Sequence, residues 1–356
     1  EEPRATEHIA EIIEMIGTLI EHGHAYAADG HVLFNVPSDP AYGSLSHRSL
    51  EDMLDGARVD VAPYKQDPKD FVLWKPSAAD LPGWDSPWGR GRPGWHIECS
   101  AMIRKHLGQS IDIHGGGSDL TFPHHENEAA QSRCANQTPE YVRYWLHNGM
   151  LTLGQEKMSK SVGNIVTIRE LLETHSGEVL RYALLSGQYR SPLALSEDLL
   201  QQASASLDRL YQALLDSDPD SSETAADFAA CGPGEYPEGV MAALCDDLNT
   251  PEALAAMHQL AGNIYRTEDS EARIALRREL LAGGWLLGIL TRPPSVYFQS
   301  GGDVDPAEIE ALIEQRNLAR REGNFARADE IRDALINRGI ELEDTREGTR
   351  WKVRGA

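Results

Sequence analysis

Apolar residues recur every three to four positions along "HIAEIIEMIGTLIEHGHAY", at Ile9, Ile12, Ile13, Ile16, Leu19 and Ile20. That spacing puts them on one stripe and predicts an amphipathic helix, with Thr6 capping its start. Gly23 in "EHGHAY" reads as the helix stop. After Gly30 the pattern shortens to β-prone pieces, "HVLFNV" and "DFVLWK", broken by many Pro and Gly. This predicts an α+β subdomain running to about residue 90. From "GWHIECSAMIRKHLG" helix and strand signals alternate, with "SIDIHGGG" a strand that ends in glycines, and such alternation favours a parallel α/β sheet. Beyond residue 164 the helical period dominates, in "TIRELLETHSGEVLRYALL" and "SEDLLQQASASLDRLYQALL". The acidic stretch 216–238 predicts a long exposed loop. Helices resume through Leu290, and "TRPPSVYFQSGGDVD" reads as a linker. The tail predicts two helices, 306–321 and 325–337, followed by a β-hairpin over "IELEDTREGTRWKV". No repeat of fixed period appears.

Composition narrows the class. A chain of 356 residues with 41% apolar and 25% charged residues reads as a soluble globular protein of two or three domains. The longest apolar run, Leu280 to Leu290, is too short to span a bilayer, and the opening residues predict no secretory signal. Four cysteines (Cys99, Cys134, Cys231, Cys245) never fall in CxxC spacing, which favours a reducing, cytoplasmic compartment. The net charge of −23 argues against a surface coated for nonspecific nucleic-acid binding. Its distribution is uneven: residues 216–250 carry nine acids and no Lys or Arg, while the tail from Gly302 carries thirteen acids and ten bases. Any RNA contact would be a local patch. Arg316, Arg320 and Arg321, with Arg350, Lys352 and Arg354, are its candidates, and Trp351 among them could stack on an unpaired base.

Three stretches carry chemistry. In "TFPHHENEAA" Pro123 suits a first helical turn, so His124 and Glu128, four apart, share a face, and His125 nearly does so with Glu128. A His/Glu pair is acceptable to zinc but incomplete, and by itself it reads equally as a polar helix face. Cys99 in "WHIECSAM" offers a thiolate or simply a small buried hydrophobe. In "IHGGGSDL" the glycines after a strand permit positive φ and close approach of a planar ligand, and Asp119 stands where a carboxylate could accept from ribose hydroxyls. A tight strand-to-helix turn would use the same residues. "EKMSKSVGN" is the specific one: Lys157 and Lys160, three apart and flanked by serines, make a cationic loop suited to the triphosphate of ATP as charge develops on pyrophosphate.

Lys157-Met158-Ser159-Lys160-Ser161 is the signature of class I aminoacyl-tRNA synthetases. With "GWHIECSAM" and "DIHGGGSDLTFPHHENEAAQS" preceding it, and with "PRATEHIAEII", "GEVLRYALLSGQYRSPL" and "FARADEIRDAL" elsewhere, the chain closely resembles the cysteinyl-tRNA synthetase family along its whole length. The resemblance implies a zinc ion held by Cys99, His124 and Glu128 with a further thiolate. It implies Trp95 as the aromatic wall of a cysteine pocket, to which His124 also belongs, and Gly116, Asp119 and Lys160 as ATP contacts, with Lys157 and Lys160 catalytic. The activity implied is ATP-dependent, Mg2+-assisted ligation of L-cysteine to tRNA(Cys) through a cysteinyl-adenylate, by a monomeric, cytoplasmic enzyme. The fold implied is α/β, the second half of a Rossmann-like catalytic domain with an α+β insertion, then a helical bundle and a small α/β tail. The domains would be 1–90 (insertion), 91–150 (catalytic half with the zinc site), 151–196 (KMSKS loop and stem contact), 197–295 (helical tRNA-binding region) and 303–356 (anticodon-binding tail). The family's HIGH motif and fourth zinc ligand are not in the sequence, which predicts that residues 1–356 alone do not activate cysteine. Two other readings share features: a cysteine:amino-sugar ligase of the mycothiol pathway, which needs no anticodon-binding tail, and a noncatalytic RNA-binding fragment.

Overall fold

In the computed structural model Ile12, Met15, Ile16 and Leu19 form the wholly buried stripe of helix α1 (Ile9–Glu21). The structure describes residues 1–49, 62–153, 156–157, 166–219, 221–299, 305–344 and 348–353. Thr6 is not the cap of α1. It lies in a preceding 3-10 turn, and the N-cap position falls to His8, whose Nδ1 donates to Arg4 O at 2.7 Å and whose Nε2 is 2.8 Å from His106 Nε2. Among the described residues no side-chain hydrogen bond caps the start of α1, and the buried His8 ring instead ties it to His106 on a later helix. Gly23 does end the helix, with φ of +80° turning the chain into β1.

The described chain divides into two units, Glu1–Met150 and Leu151–Ala356. In the first, β1 (Ala25–Ala28), β2 (His31–Phe34), β3 (Phe71–Pro76) and β4 (Gly91–Pro93) pair antiparallel in that order. Val32, Phe34, Leu73 and Trp74 are fully buried and join the α1 stripe and Ile97 in one core. Each such side chain contributes about 1.5–3 kcal/mol by leaving water. Helix α2 (Trp95–His106) follows β4 directly. Then β5 (Ile111–Gly117), helix α3 (Glu126–Asn136) and β6 (Val142–Asn148) form a βαβ unit, its strands parallel from Ile111↔Val142 to Gly117↔Asn148. Among the described residues of this unit the parallel sheet is these two strands.

In the second unit β7 (Leu151–Leu153) pairs antiparallel with β8 (Glu156–Lys157) and parallel with β9 (Leu193–Ala194). The periodic stretch after residue 166 is two helices, α4 (Ile168–Leu171) and α5 (Gly177–Leu185), because Thr167 and Ser176 each cap a separate start. Next come α6 (Glu197–Ser217), α7 (Glu238–Cys245), α8 (Thr250–Arg266) and α9 (Ser270–Leu287), around a core that includes Leu207, Leu210, Tyr211, Met257 and Leu280.

Two expectations for this unit fail. The acidic stretch is not a wholly exposed loop, since Ala225 and Phe228 bury into the helical core and Glu223 pairs with the buried Arg277. Nor is "RPPSVYFQ" plain linker: α10 (Pro294–Gln299) stacks Tyr297 on Tyr211 with ring centroids 3.7 Å apart. Aromatic rings outweigh the loop-like Pro content there. The tail has α11 (Pro306–Arg321), α12 (Phe325–Asn337) and the antiparallel hairpin β10 (Ile340–Asp344) and β11 (Thr349–Val353). Trp351 is not available for stacking on a base, because it sits in the tail core with Ile309, Ile313, Ile331, Leu335 and Ile340. Arg316 is likewise buried and bonded twice to Asp344, at 2.8 Å each, and Arg320 joins the same carboxylate at 2.7 Å. Arg354 lies outside the described residues.

Candidate active site

Helix α3 is polar in sequence yet buries Glu126, Asn127, Glu128, Gln131 and Ser132. Burying such groups is costly unless each finds a partner, so their interactions define a built site. Glu128 is at its centre. Its Oε2 accepts from His114 Nε2 at 3.0 Å and from Tyr141 Oη at 3.4 Å. Its Oε1 lies 2.7 Å from His124 Nε2, close but without a well-aligned hydrogen bond. Burial alone would raise this carboxyl, but the hydrogen bond from His114 and the adjacent His124 ring overcome it and hold Glu128 down at about 2.

The approach to α3 differs from a simple helix start. Thr121–His125 form one wide turn with Phe122 in an extended conformation, the Phe122–Pro123 peptide is cis, and the regular helix begins at Glu126. Pro123 is therefore ahead of the helix rather than in its first turn. His124 and Glu128 still meet across one turn, and His124 Nδ1 is 2.8 Å from His96 Nδ1 on α2.

Cys99 lies one turn beyond Trp95 on α2. Its sulfur, a His124 nitrogen and a Glu128 oxygen lie within 4.8 Å of one another, and His114, His125 and Glu128 form a second group of the same kind. Burial, then the charges of Glu128 and Glu98, push the Cys99 thiol up to about 12. Burial pulls His96 and His125 down to about 4. A soft thiol, an imidazole and a carboxylate converging in a dry site fit a zinc ion, whose charge would reverse the pressure that keeps the thiol protonated.

Trp95 follows Gly94, whose backbone packs against the Val72 carbonyl so closely that no Cβ fits. The indole is 57% exposed on one side and stacks on His124 on the other, with centroids 4.2 Å apart. The glycines of β5 are needed for space, not for positive φ: Gly115, Gly116 and Gly117 are absent from the positive-φ residues and lie in the strand. A Cβ on Gly116 would stand 2.9 Å from His125 Cε1, and one on Gly117 would strike the Asp119 carboxylate. Asp119 is exposed on the 3-10 turn that follows the strand.

Trp95, Cys99, His124 and Glu128 thus come together, with Gly116 behind His125. Lys157 is in β8, and Lys160 lies outside the described residues. Sequence reasoning missed His96, His114, His147 and Tyr141, and it set His125 aside. His125 Nδ1 is 2.7 Å from His147 Nε2, and His114 stacks on Trp145. The signal available was the recurrence of single histidines at strand and helix ends, in "WHIEC", "DIHGG" and "LHNG".

Residues 1–205 match the family described as the tRNA synthetases class I (C) catalytic domain, residues 239–291 the DALR domain, and residues 305–351 the cysteinyl-tRNA ligase anticodon binding domain. The chain is 56% identical over 355 residues to a cysteine–tRNA ligase of Rhodospirillum rubrum, covering 99% of this chain and 75% of that one. It is 56% identical over 352 residues to the cysteine–tRNA ligase of Xanthomonas campestris, with the same coverage. In fold it is similar to a crystal structure assigned to an arginyl-tRNA synthetase of Campylobacter jejuni (TM-score 0.50, 13% identity, covering 81% of this chain and 63% of that one). Catalytic, helical and anticodon-binding matches occur in one order along one chain, and the identity extends over nearly all of it. The chain belongs to the cysteine–tRNA ligase family of class I aminoacyl-tRNA synthetases.

Proposed function

We propose that the chain carries out ATP-dependent ligation of L-cysteine to tRNA(Cys) through a cysteinyl-adenylate, as a monomeric cytoplasmic enzyme. The observation that carries this reading is the convergence of Cys99, His124 and Glu128 beside Trp95 in a chain 56% identical to a cysteine–tRNA ligase. Cys99, His124 and Glu128 would hold zinc, and bound zinc would take a substrate thiolate far better than a serine hydroxyl, so discrimination would rest on coordination chemistry.

The chain's own residues prepare that selection. His96 and His114 contact His124 and Glu128 on the sides away from the shared point, fixing ring and carboxylate orientation. Trp95 covers His124 with one ring face and offers the other to the substrate. Gly116 and Asp119 provide a flat approach and a ribose acceptor for ATP. Lys157 and Lys160 supply positive charge to the Mg2+-bound triphosphate. The matches at 239–291 and 305–351 favour the tRNA enzyme over an amino-sugar ligase and over a noncatalytic fragment, since a catalytic-domain match precedes them.

The test is elemental analysis of the intact enzyme with ATP–pyrophosphate exchange driven by cysteine or serine. One zinc per chain and exchange that strongly prefers cysteine are expected. Metal-free protein that still selects cysteine would overturn the zinc assignment.

A further inference from the structure

Between α5, α6 and α8 the helical unit opens a pocket of about 320 Å³, lined chiefly by Tyr182, Ser186, Ser206, Arg209, Leu254 and His258. Its lining contains no Asp or Glu, although the chain has 56 acids against 33 Lys and Arg. Among the described residues eight arginines of this unit pair with a carboxylate: Arg190, Arg277, Arg292, Arg316, Arg320, Arg327, Arg332 and Arg338. Arg209, which lines the pocket, is not one of them. Its hydrogen bonds go to its own helix, from Nε to Ala205 O at 3.1 Å and from Nη2 to Ser206 Oγ at 3.3 Å, and among the described residues it has no ion pair.

Beside it Tyr182, buried except for 6% of its surface, has its Oη 2.8 Å from His258 Nε2. Burial, and then the charge of Arg209, pull the His258 ring below its ordinary value. The site therefore has a positive potential that its own walls do not offset. An anion would offset it.

We propose that this pocket is a ribose-phosphate subsite for the tRNA, in which Arg209 pairs with one backbone phosphate, Tyr182 and Ser206 present hydroxyls to it, and Leu254 with Pro251 packs against the sugar. The proposal rests on the ligase reading above. A free phosphate would leave the apolar wall of Leu254 and Pro251 uncovered, and a base alone would leave the guanidinium unpaired. A nucleotide of an RNA backbone satisfies both. In so acidic a chain, RNA contact must be confined to places from which carboxylates are absent, and this pocket is one.

The test is tRNA(Cys) binding by the full chain across a salt series, with wild type, R209Q, R209K and Y182F, together with phosphate-ethylation interference. Removing one phosphate contact should lower the slope of log K against log salt by about one. R209Q should show that drop and lose one site of ethylation interference. R209K should retain the slope, and Y182F should weaken binding a few-fold without changing it. Arg209 is exposed, and unchanged melting of R209Q would confirm that the fold is intact. An R209Q slope and interference pattern equal to wild type would overturn the proposal. So would inorganic phosphate that protects wild type, but not R209Q, against thermal unfolding while RNA binding is unaltered, since the occupant would then be a small anion. Absence of tRNA binding by wild type would instead remove the ligase reading itself.

Discussion

Glu128 turns one carboxylate oxygen toward His124 and the other toward His114: Oε1 is 2.7 Å from His124 Nε2, and Oε2 is 3.0 Å from His114 Nε2. One oxygen thus faces the converging ligand set while the other is held from behind. His114 acts through Glu128 as a positioning residue. Its replacement by Ala should leave the three candidate ligands in place but weaken zinc retention about 10–100-fold, the usual cost of losing an outer partner. Competition with a chelating dye, measured on H114A and wild type, checks this. Equal retention would mean that Glu128 is oriented by its backbone and Tyr141 alone.

Cys99 contributes the soft donor of the set. In C99S a hydroxyl replaces the sulfur at nearly the same volume, so the α2–α3 packing should survive while zinc binds more weakly. The expected kinetic outcome is a raised KM for cysteine and a smaller preference over serine, measured by pyrophosphate exchange. A C99S enzyme with normal zinc content and an unchanged KM would assign Cys99 to the core only.

The extent to which this was legible varies from one residue to the next. His124, Glu128 and Cys99 could be picked out because ligand-type residues at helical spacing are a local signal, and the resemblance to a family then fixed which histidine to choose. His114 and His147 could not, because each is a lone histidine on a strand, and its partner is on or just before the crossover helix α3. Their roles arise from the parallel pairing of β5 and β6, which spacing does not encode. The same limit explains Trp351. An aromatic amid charges looks like an RNA-stacking residue in sequence, yet the hairpin places it on the inward face over α11 and α12. Helices were the easiest elements, and α1, α6, α11 and α12 follow their apolar periods. The Phe228 and Tyr297 segments were hidden because one buried aromatic anchors the first and two adjacent ones, Tyr297 and Phe298, the second, with no period to betray them.

Lys160 carries the strongest sequence signal and lies outside the described residues. K160A should slow adenylate formation by roughly 3–4 kcal/mol if the ammonium stabilises charge developing on pyrophosphate, as a preorganised donor does. Zinc content should be unchanged. Single-turnover kinetics would separate the roles: a weaker ATP Kd with an unchanged activation rate would limit Lys160 to ground-state binding.

The tail offers a prediction with a definite sign in pH. Asp344 bonds to Arg316, Thr349 and Arg320, and Arg316 above all holds its carboxyl well below the ordinary range. A carboxyl depressed in the folded state stabilises the fold above its unfolded pKa, and that contribution disappears as pH falls through the range between the unfolded and folded values. The tail should therefore lose stability in acid, below about pH 4, where an unfolded Asp takes up its proton. D344N should bring part of that loss to neutral pH by leaving the guanidinium of buried Arg316 without its charged partner. The readout is Trp351 fluorescence against pH, because that indole is in the tail core. Wild type should show an acid transition that D344N lacks or shows with reduced amplitude, from a lower starting stability at pH 7. If the two profiles superimpose, Arg316 is stabilised by the packing of α11 against α12 and the hairpin rather than by Asp344.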